Sequence, residues 1–324
     1  MTMRDVAQLA GVSSAAVSRY LNGGYLSEEK RERIRLAIEQ TGYAPSAQAR
    51  SLRTGSSRIV GVIVPKVNSE SIGRITAGIG QVLREQGYQM LLADTANHPD
   101  RELEYLQTFE RHPVEGIVLV GTVATGKHLR AIRTCMVPVI VAGQMMHGAN
   151  CIYHDDYGAA RDLAAHIASR PDVGRIGYIG VTRTDAAVGA ARLKGFTAGL
   201  KAQGRALEGG LYREASFNVE SGFACAQELL ERFNDIDFIS CATDIIAAGA
   251  IRAFDERFGA GTGANHVSGF GDNQLLQAVT GGIPTVHFAY KTSGIKATQM
   301  LLGLIAKESE VAMQMKLGYT LVGV

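Results

Sequence analysis

The chain has little of what marks a secreted, membrane-bound or catalytic protein. Its four cysteines (Cys135, Cys151, Cys225, Cys241) show no paired spacing and sit in apolar or helical stretches. That predicts reduced, packed thiols, and neither a disulfide framework nor a zinc set. Long apolar runs are missing: Ile59–Val64 and Ile117–Val120 are strand length, far below the ~20 residues that cross a bilayer. The first residues enter directly on a helical pattern, so no export signal and a cytoplasmic location are expected. The eight histidines are scattered, with no i, i+4 pair, no His-x-Glu and no Cys-x-x-Cys. No nucleophile elbow occurs, and Asp155 and Asp156, being adjacent, point apart rather than converging on one bond. Gly259-Ala260-Gly261-Thr262-Gly263-Ala264 superficially matches a dinucleotide loop, but it follows a predicted helix and precedes a strand. That reverses the pyrophosphate-binding order, and the segment reads as a turn. No catalytic residue, metal ligand or cofactor is therefore expected.

What is present is an uneven distribution of charge. Residues 1–58 carry nine Lys/Arg and five Asp/Glu, a net of +4, whereas the remaining 266 carry 24 and 26, a net of −2. A head attracted to phosphate and a body that is not would look like this. The head opens with Thr2, able to cap a first helix with Asp5 as its capping-box partner. Gly11 supplies a turn, and Ser13 can cap a second helix. There Val17 and Leu21 face inward beside Val6, Leu9 and Val12, leaving Ser14, Ala15, Ser18, Arg19 and Asn22 outward. A helix-turn-helix places such a face in the major groove. Ser27 can cap a third helix through Thr41, with Ile34 and Ile38 inward and Gly42 as its stop.

Next comes Tyr43-Ala44-Pro45-Ser46-Ala47-Gln48-Ala49-Arg50-Ser51-Leu52-Arg53. A helix of about eight residues is shorter than the roughly 12–15 that hold in water unaided. It orders only against something, such as its own second copy and a DNA groove. Leu52 would then be an apolar wedge at a base step in the minor groove. The alternative is a plain interdomain linker, with Leu52 packed on the body.

Taken together, Asp5-Val6-Ala7, Ala10-Gly11-Val12-Ser13, Val17-Ser18-Arg19, Asn22, Tyr43, Pro45 and Ala49–Leu52 resemble the head and hinge of the lactose/galactose-repressor (LacI/GalR) family of bacterial transcription regulators. The resemblance implies DNA contacts at Thr2, Ser13, Ser14, Ala15, Ser18, Arg19, Asn22, Ser46, Ala49 and Leu52. Two departures stand out. Ser14 and Ala15 are small where members place base-choosing side chains, leaving Arg19, with its guanine-matching fork, and Ser18 as the better candidates. Ser46 replaces the asparagine usual after the hinge proline.

The body alternates strands and helices, which predicts parallel, doubly wound sheets. Strands are expected at Ile59–Val64, Met90–Ala93, Gly116–Val120, Val137–Val141, Ile176–Gly180, Phe238–Cys241 and Val267–Phe270. Two such sheets in tandem make two lobes, with ligand in the cleft at the strands' carboxyl ends. The expected fold is thus α/β: an all-α helix-turn-helix head (1–44), a hinge helix and linker (45–57), and a two-lobed body (58–324) like a periplasmic binding protein. By resemblance, the first lobe takes about 58–155 plus 289–316 and the second about 156–288 plus 317–324.

Within the cleft, the resemblance implies effector contacts at Lys66, Tyr153, Arg192, Thr243, Asp244, Asp272 and Tyr290. Arg192 falls on the family's ligand-gripping arginine, whose fork suits paired hydroxyls or a phosphate. Thr243-Asp244 resembles an Asn-Asp pair whose first member reaches ligand, although Asp244 could equally cap the following helix. Gly269-Phe270-Gly271-Asp272-Asn273 shifts the expected acid by one position. This pattern and Thr285–Gly294 look closest to the sucrose/trehalose repressor branch. Lys66 could hold a phosphate beside Arg192, but Gly143 stands where the phosphate-binding member has a second arginine.

The resulting expectation is a homodimeric repressor of a sugar-utilisation operon. It would bind a pseudopalindromic double-stranded operator, with no membrane partner, and be released by a sugar or sugar phosphate. Helix Ser71–Gln86 is the expected dimer element by resemblance. Alternatives are a ligand acting as corepressor, or a periplasmic-type sugar-binding protein without a transcriptional role.

Overall fold

In a computed structural model, which describes residues 1–43, 56–123, 125–308 and 311–324, the chain divides into two units, Met1–Arg58 and Ile59–Val324. The positions Ser46, Ala49 and Leu52 lie outside the described residues. The first unit contains α1 (Met3–Leu9), α2 (Ser14–Leu21) and α3 (Glu28–Thr41). Local chemistry explains their ends. Thr2 N donates to the Asp5 carboxylate at 2.7 Å while Asp5 N donates to Thr2 Oγ1 at 3.3 Å, a closed capping box. Gly11 turns the chain with φ +61°, and Ser13 Oγ then accepts from Ala16 N at 3.2 Å. Ser27 stands at the N-cap of α3, but its side chain makes no capping bond, contrary to expectation.

Val6, Ala7, Ala10, Val17, Ile34 and Ala37 form the small core of this unit. Leu9, expected inside, is 54% exposed. At about 100° per residue it falls outside the arc set by Val6, Ala7 and Ala10.

In the second unit the first lobe is a parallel six-stranded sheet. Its central strand β1 (Ile59–Val64) is flanked by β2 (Gln89–Asp94) at the edge and by β3 (Gly116–Val120). Beyond them lie β4 (Val139–Ala142), β5 (Asn150–His154) and β11 (Gln314–Leu317). Successive side chains alternate faces. Val60, Val62 and Val64 pack against Ile75 and Ile79 of α4 (Glu70–Glu85) and against α12 (Tyr290–Ile305). Ile63, Ile117 and Leu119 instead meet Leu106 and Phe109 of α5 (Pro99–Arg111). Helix α12 comes so close to α4 that a Cβ at Gly78 would lie 2.1 Å from Lys291 O. One at Gly294 would lie 2.1 Å from Ile75 O, so the pair of glycines permits this crossing.

The second lobe holds the parallel order β7 (Tyr212–Glu214), β6 (Arg175–Gly180), β8 (Ile236–Cys241) and β9 (Val267–Ser268). Strand β10 (Thr285–Phe288) pairs antiparallel with β12 (Tyr319–Val322). Gly269 N and Gly271 N donate to Pro284 O and Val286 O at 3.0 and 2.9 Å, so β10 extends this sheet. Leu317–Val322, expected wholly in the second lobe, is divided. Leu317 pairs with His154 in the first sheet, and the chain crosses at Gly318. The other crossings fall at Asp155 and Ala289, each between a strand end and the helix that follows. No described helix is long and apolar enough to cross a membrane.

Candidate effector cavity and DNA-binding face

Where strands of both lobes end, their carboxyl ends enclose a cavity of about 360 Å³. That volume is in the range of small-molecule sites. Arg192 opens α8 (Arg192–Ala202) after a π-helical turn over Ala186–Ala191, and it is almost wholly buried. Its Nε and Nη2 reach Asp156 Oδ1 at 2.8 and 2.7 Å, and Nη1 donates to Ala242 O at 2.6 Å. The guanidinium carbon lies 4.8 Å from the Phe270 ring centre and 5.2 Å from that of Phe288. Burial alone would lower the Arg192 pKa, but the Asp156 carboxylate outweighs it and the net direction is up. Its fork is therefore largely committed within the protein, with its edge on the cavity.

Thr243, at the end of β8, caps α10 (Asp244–Phe258) by accepting from Ile246 N at 3.4 Å. Thus Thr243, not Asp244, is the cap. Asp244 instead accepts from Thr285 Oγ1 and Asn273 N, both at 2.7 Å. Burial, working against those two bonds, pushes its pKa up to about 6. Lys66 follows β1 and donates to Phe217 O at 2.9 Å, and burial pulls its pKa down. Tyr290 begins α12, its ring 5.2 Å from His154, and burial raises its phenol pKa. The structure brings Lys66, Arg192, Thr243, Asp244 and Tyr290 to this one cavity.

Two expected members are elsewhere. Tyr153 packs with Cys151 on the α5 side of the first sheet, because strand alternation hands the cavity to its neighbour His154. Asp272 turns away: its carboxylate meets His287 Nδ1 at 2.8 Å, and its carbonyl accepts from Arg74 Nη2 at 2.9 Å. Gly271 and Asn273 line the cavity on either side of it. The displaced acid has a backbone cause. Gly271 sits at φ +135°, a conformation that disfavours any side chain.

On the head, Ser14, Ala15, Arg19 and Asn22 are exposed on α2, and Ser18 is half-buried between them. Asn22 Nδ2 donates to Ser18 O at 2.7 Å, fixing the end of that face. Thr2 and Ser13 spend their hydroxyls on helix caps.

The family described as "Bacterial regulatory proteins, lacI family" matches residues 2–46, and "Periplasmic binding proteins and sugar binding domain of LacI family" matches residues 57–321. The chain belongs to the LacI family. Among its LacI-family relatives, the sucrose operon repressor of Staphylococcus xylosus is 33% identical over 301 residues, covering 93% of this chain and 92% of that protein. The HTH-type transcriptional regulator TreR of Escherichia coli (strain K12) is 26% identical, covering 96% and 95%. A lac repressor dimer bound to operator and the anti-inducer ONPF has the same fold, with TM-score 0.88 at 21% identity over 99% of this chain and 97% of that one.

Gln144, Asp185 and His154 are among the side chains of this LacI-family cavity that the sequence did not point to. Gln144, just past β4, donates through Nε2 to Thr122 O at 3.1 Å and to Asp185 Oδ1 at 2.8 Å, tying the lobes together. Asp185 also accepts from Ala187 N and Val188 N, and burial raises its pKa. His154 ends β5 between Phe288 and Tyr290, and burial pushes its pKa down to about 4. Of the three, only Asp185 has a local signal in the sequence, as an acid able to cap the helical turn that follows it.

Proposed function

We propose that this LacI-family chain represses a sugar-utilisation operon as a homodimer in the cytoplasm, and leaves its operator when a sugar enters the cavity. The observation that carries this reading is a cavity lined with hydrogen-bonding groups and aromatic rings, in one chain with an exposed helix-turn-helix face. The sucrose operon repressor, a relative over nearly the whole chain, supports a disaccharide as effector. In this reading residues 1–44 bind DNA, 45–57 form the hinge, and 58–324 bind effector and partner.

Arg19 and Ser18 read bases or phosphates, Ser14, Ala15 and Asn22 complete the face, and Thr2 and Ser13 hold the helix ends against the duplex. Lys66, Arg192, Thr243, Asp244 and Tyr290 surround the sugar. The second copy docks on α4 and the neighbouring edge strand β2, where Met90, Leu91 and Leu92 are exposed. An uncovered edge with apolar side chains suits pairing with another chain. Gel shift on operator DNA across a panel of disaccharides tests the reading. One sugar should weaken binding by about 5–150-fold. Tighter binding would make the ligand a corepressor, and no response to any sugar would overturn the effector assignment.

A further inference from the structure

The cavity wall carries several buried acceptors. Asp156, Asp185 and Asp244 all line it, and two further buried polar atoms find no partner among the described residues: Gln144 Oε1 and His154 Nε2. Gln144 is 3% exposed and His154 6%. A buried, unsatisfied polar atom is costly, and such atoms need an explanation. Two cations line the wall, Arg192 and Lys66, and only Arg192 is paired with a carboxylate; Arg74 lies outside the lining. Arg192 is held by Asp156 and Ala242 O, and Lys66 by Phe217 O. Arg74 pairs with Glu70 at 2.5 Å and donates to the carbonyls of Gly271 and Asp272. Gly143, also on the wall, contributes no side chain.

We infer that the cavity selects an uncharged, hydroxyl-rich ligand over its phosphate ester, with Gln144 Oε1 and His154 Nε2 taking hydrogen bonds from or to its hydroxyls. This rests on the sugar reading above and specifies the chemistry of that ligand. Gln144 Oε1 and the carboxylates only accept, so the ligand must supply donors. His154 Nε2 donates or accepts according to tautomer, and a hydroxyl satisfies either role. A phosphate ester does the reverse: it brings a charge of about −1.5 to −2 and strong acceptor oxygens. Entering here, it would meet Asp185 and Asp244, with Lys66 the one lining cation that no carboxylate pairs among the described residues. His154 adds none, because burial, outweighing the attraction of Asp156, keeps its ring neutral near pH 7.

Calorimetric titration of the full chain with sucrose, trehalose, cellobiose and maltose, each beside its 6-phosphate, tests the inference. A neutral disaccharide should bind at least tenfold more tightly than its ester. An ester binding as tightly as its parent, or more so, would overturn the inference and leave the sugar reading standing. Binding by no member of the panel would overturn both, while a gel shift without ligand would still report on the DNA reading. His154→Phe keeps an aromatic ring against Phe288 and Tyr290 and removes both ring nitrogens, Nε2 among them. It should raise the thermal midpoint and yet weaken the neutral sugar about tenfold; unchanged affinity would remove His154 from the ligand shell. His154→Gln, which keeps a hydrogen-bonding end, should restore affinity to within about threefold of the parent chain. Failure to restore it would also count against the assignment.

Discussion

The head and the cavity handle charge in opposite ways. On the head, ion pairs join neighbours in the chain: Arg35 pairs with Glu32 and Glu39 one helical turn away, both exposed. In the cavity, partners come from far along it: Arg192 meets Asp156, Asp244 meets Thr285, and Gln144 meets Asp185, all out of solvent. Exposed pairs contribute about 0–1 kcal/mol each, so the head's charges are available for DNA and not needed for folding. Buried pairs cannot be broken so cheaply, because one lost partner leaves the other charge stranded.

The largest test of that contrast is Arg192→Ala. Stranding Asp156 should cost roughly 3–5 kcal/mol in denaturant unfolding and abolish sugar binding, against little change for Arg35→Ala. A loss below 1 kcal/mol would mean that the pair is not the anchor of the cavity wall.

Acidification should separate two opposed cavity groups. Asp244, with its pKa at about 6, binds its proton more tightly when folded. Its stabilising contribution is therefore present at low pH and lost as pH rises through about 6. His154, at about 4, works the other way: its contribution holds above about 6.5 and is lost as pH falls toward 4. Each is worth on the order of 3 kcal/mol, so they largely offset each other. His154→Phe should remove one arm, and its stability relative to the parent chain should grow steadily from pH 6.5 to pH 4. A constant difference would show that the imidazole is not held neutral by its surroundings.

On the head, Arg19→Ala should cost roughly 1–3 kcal/mol of operator affinity and relax preference at one base pair, measured by anisotropy with substituted operators. A uniform loss across sequences would make Arg19 a phosphate contact. Smallest is Ser13→Ala, which removes a cap from α2 and should lower head stability by about 1 kcal/mol. A larger drop in operator affinity than in stability would give Ser13 a DNA contact of its own.

How much of this was legible in the sequence follows the same division. The capping box at Thr2 and Asp5, the Gly11 turn and the outward face of α2 were readable because every interaction lies within four residues. Leu9, three residues after Val6, lies on the flank of the buried arc, a side that the neighbouring helices leave 54% exposed. In the body, the strongly apolar strands were found, whereas β5 was not: Asn150-Cys151-Ile152-Tyr153-His154 has no long apolar run. Without a strand signal there, residue type alone points to Tyr153, whereas strand alternation gives the cavity to His154. Asp272 was misread because a backbone turn at Gly271, not residue type, aims its carboxylate at His287.

Residue order alone determined the helix-turn-helix, the alternation of strand and helix, and the separation of a basic head from a faintly acidic body, since short-range hydrogen bonding and periodic burial suffice for each. Only the tertiary structure decided which side chains enclose the cavity, which of its cations is paired with a carboxylate, and which two of its polar atoms have no partner among the described residues. Those depend on where strand ends from distant parts of the chain converge, and convergence is a property of packing that no local spacing encodes.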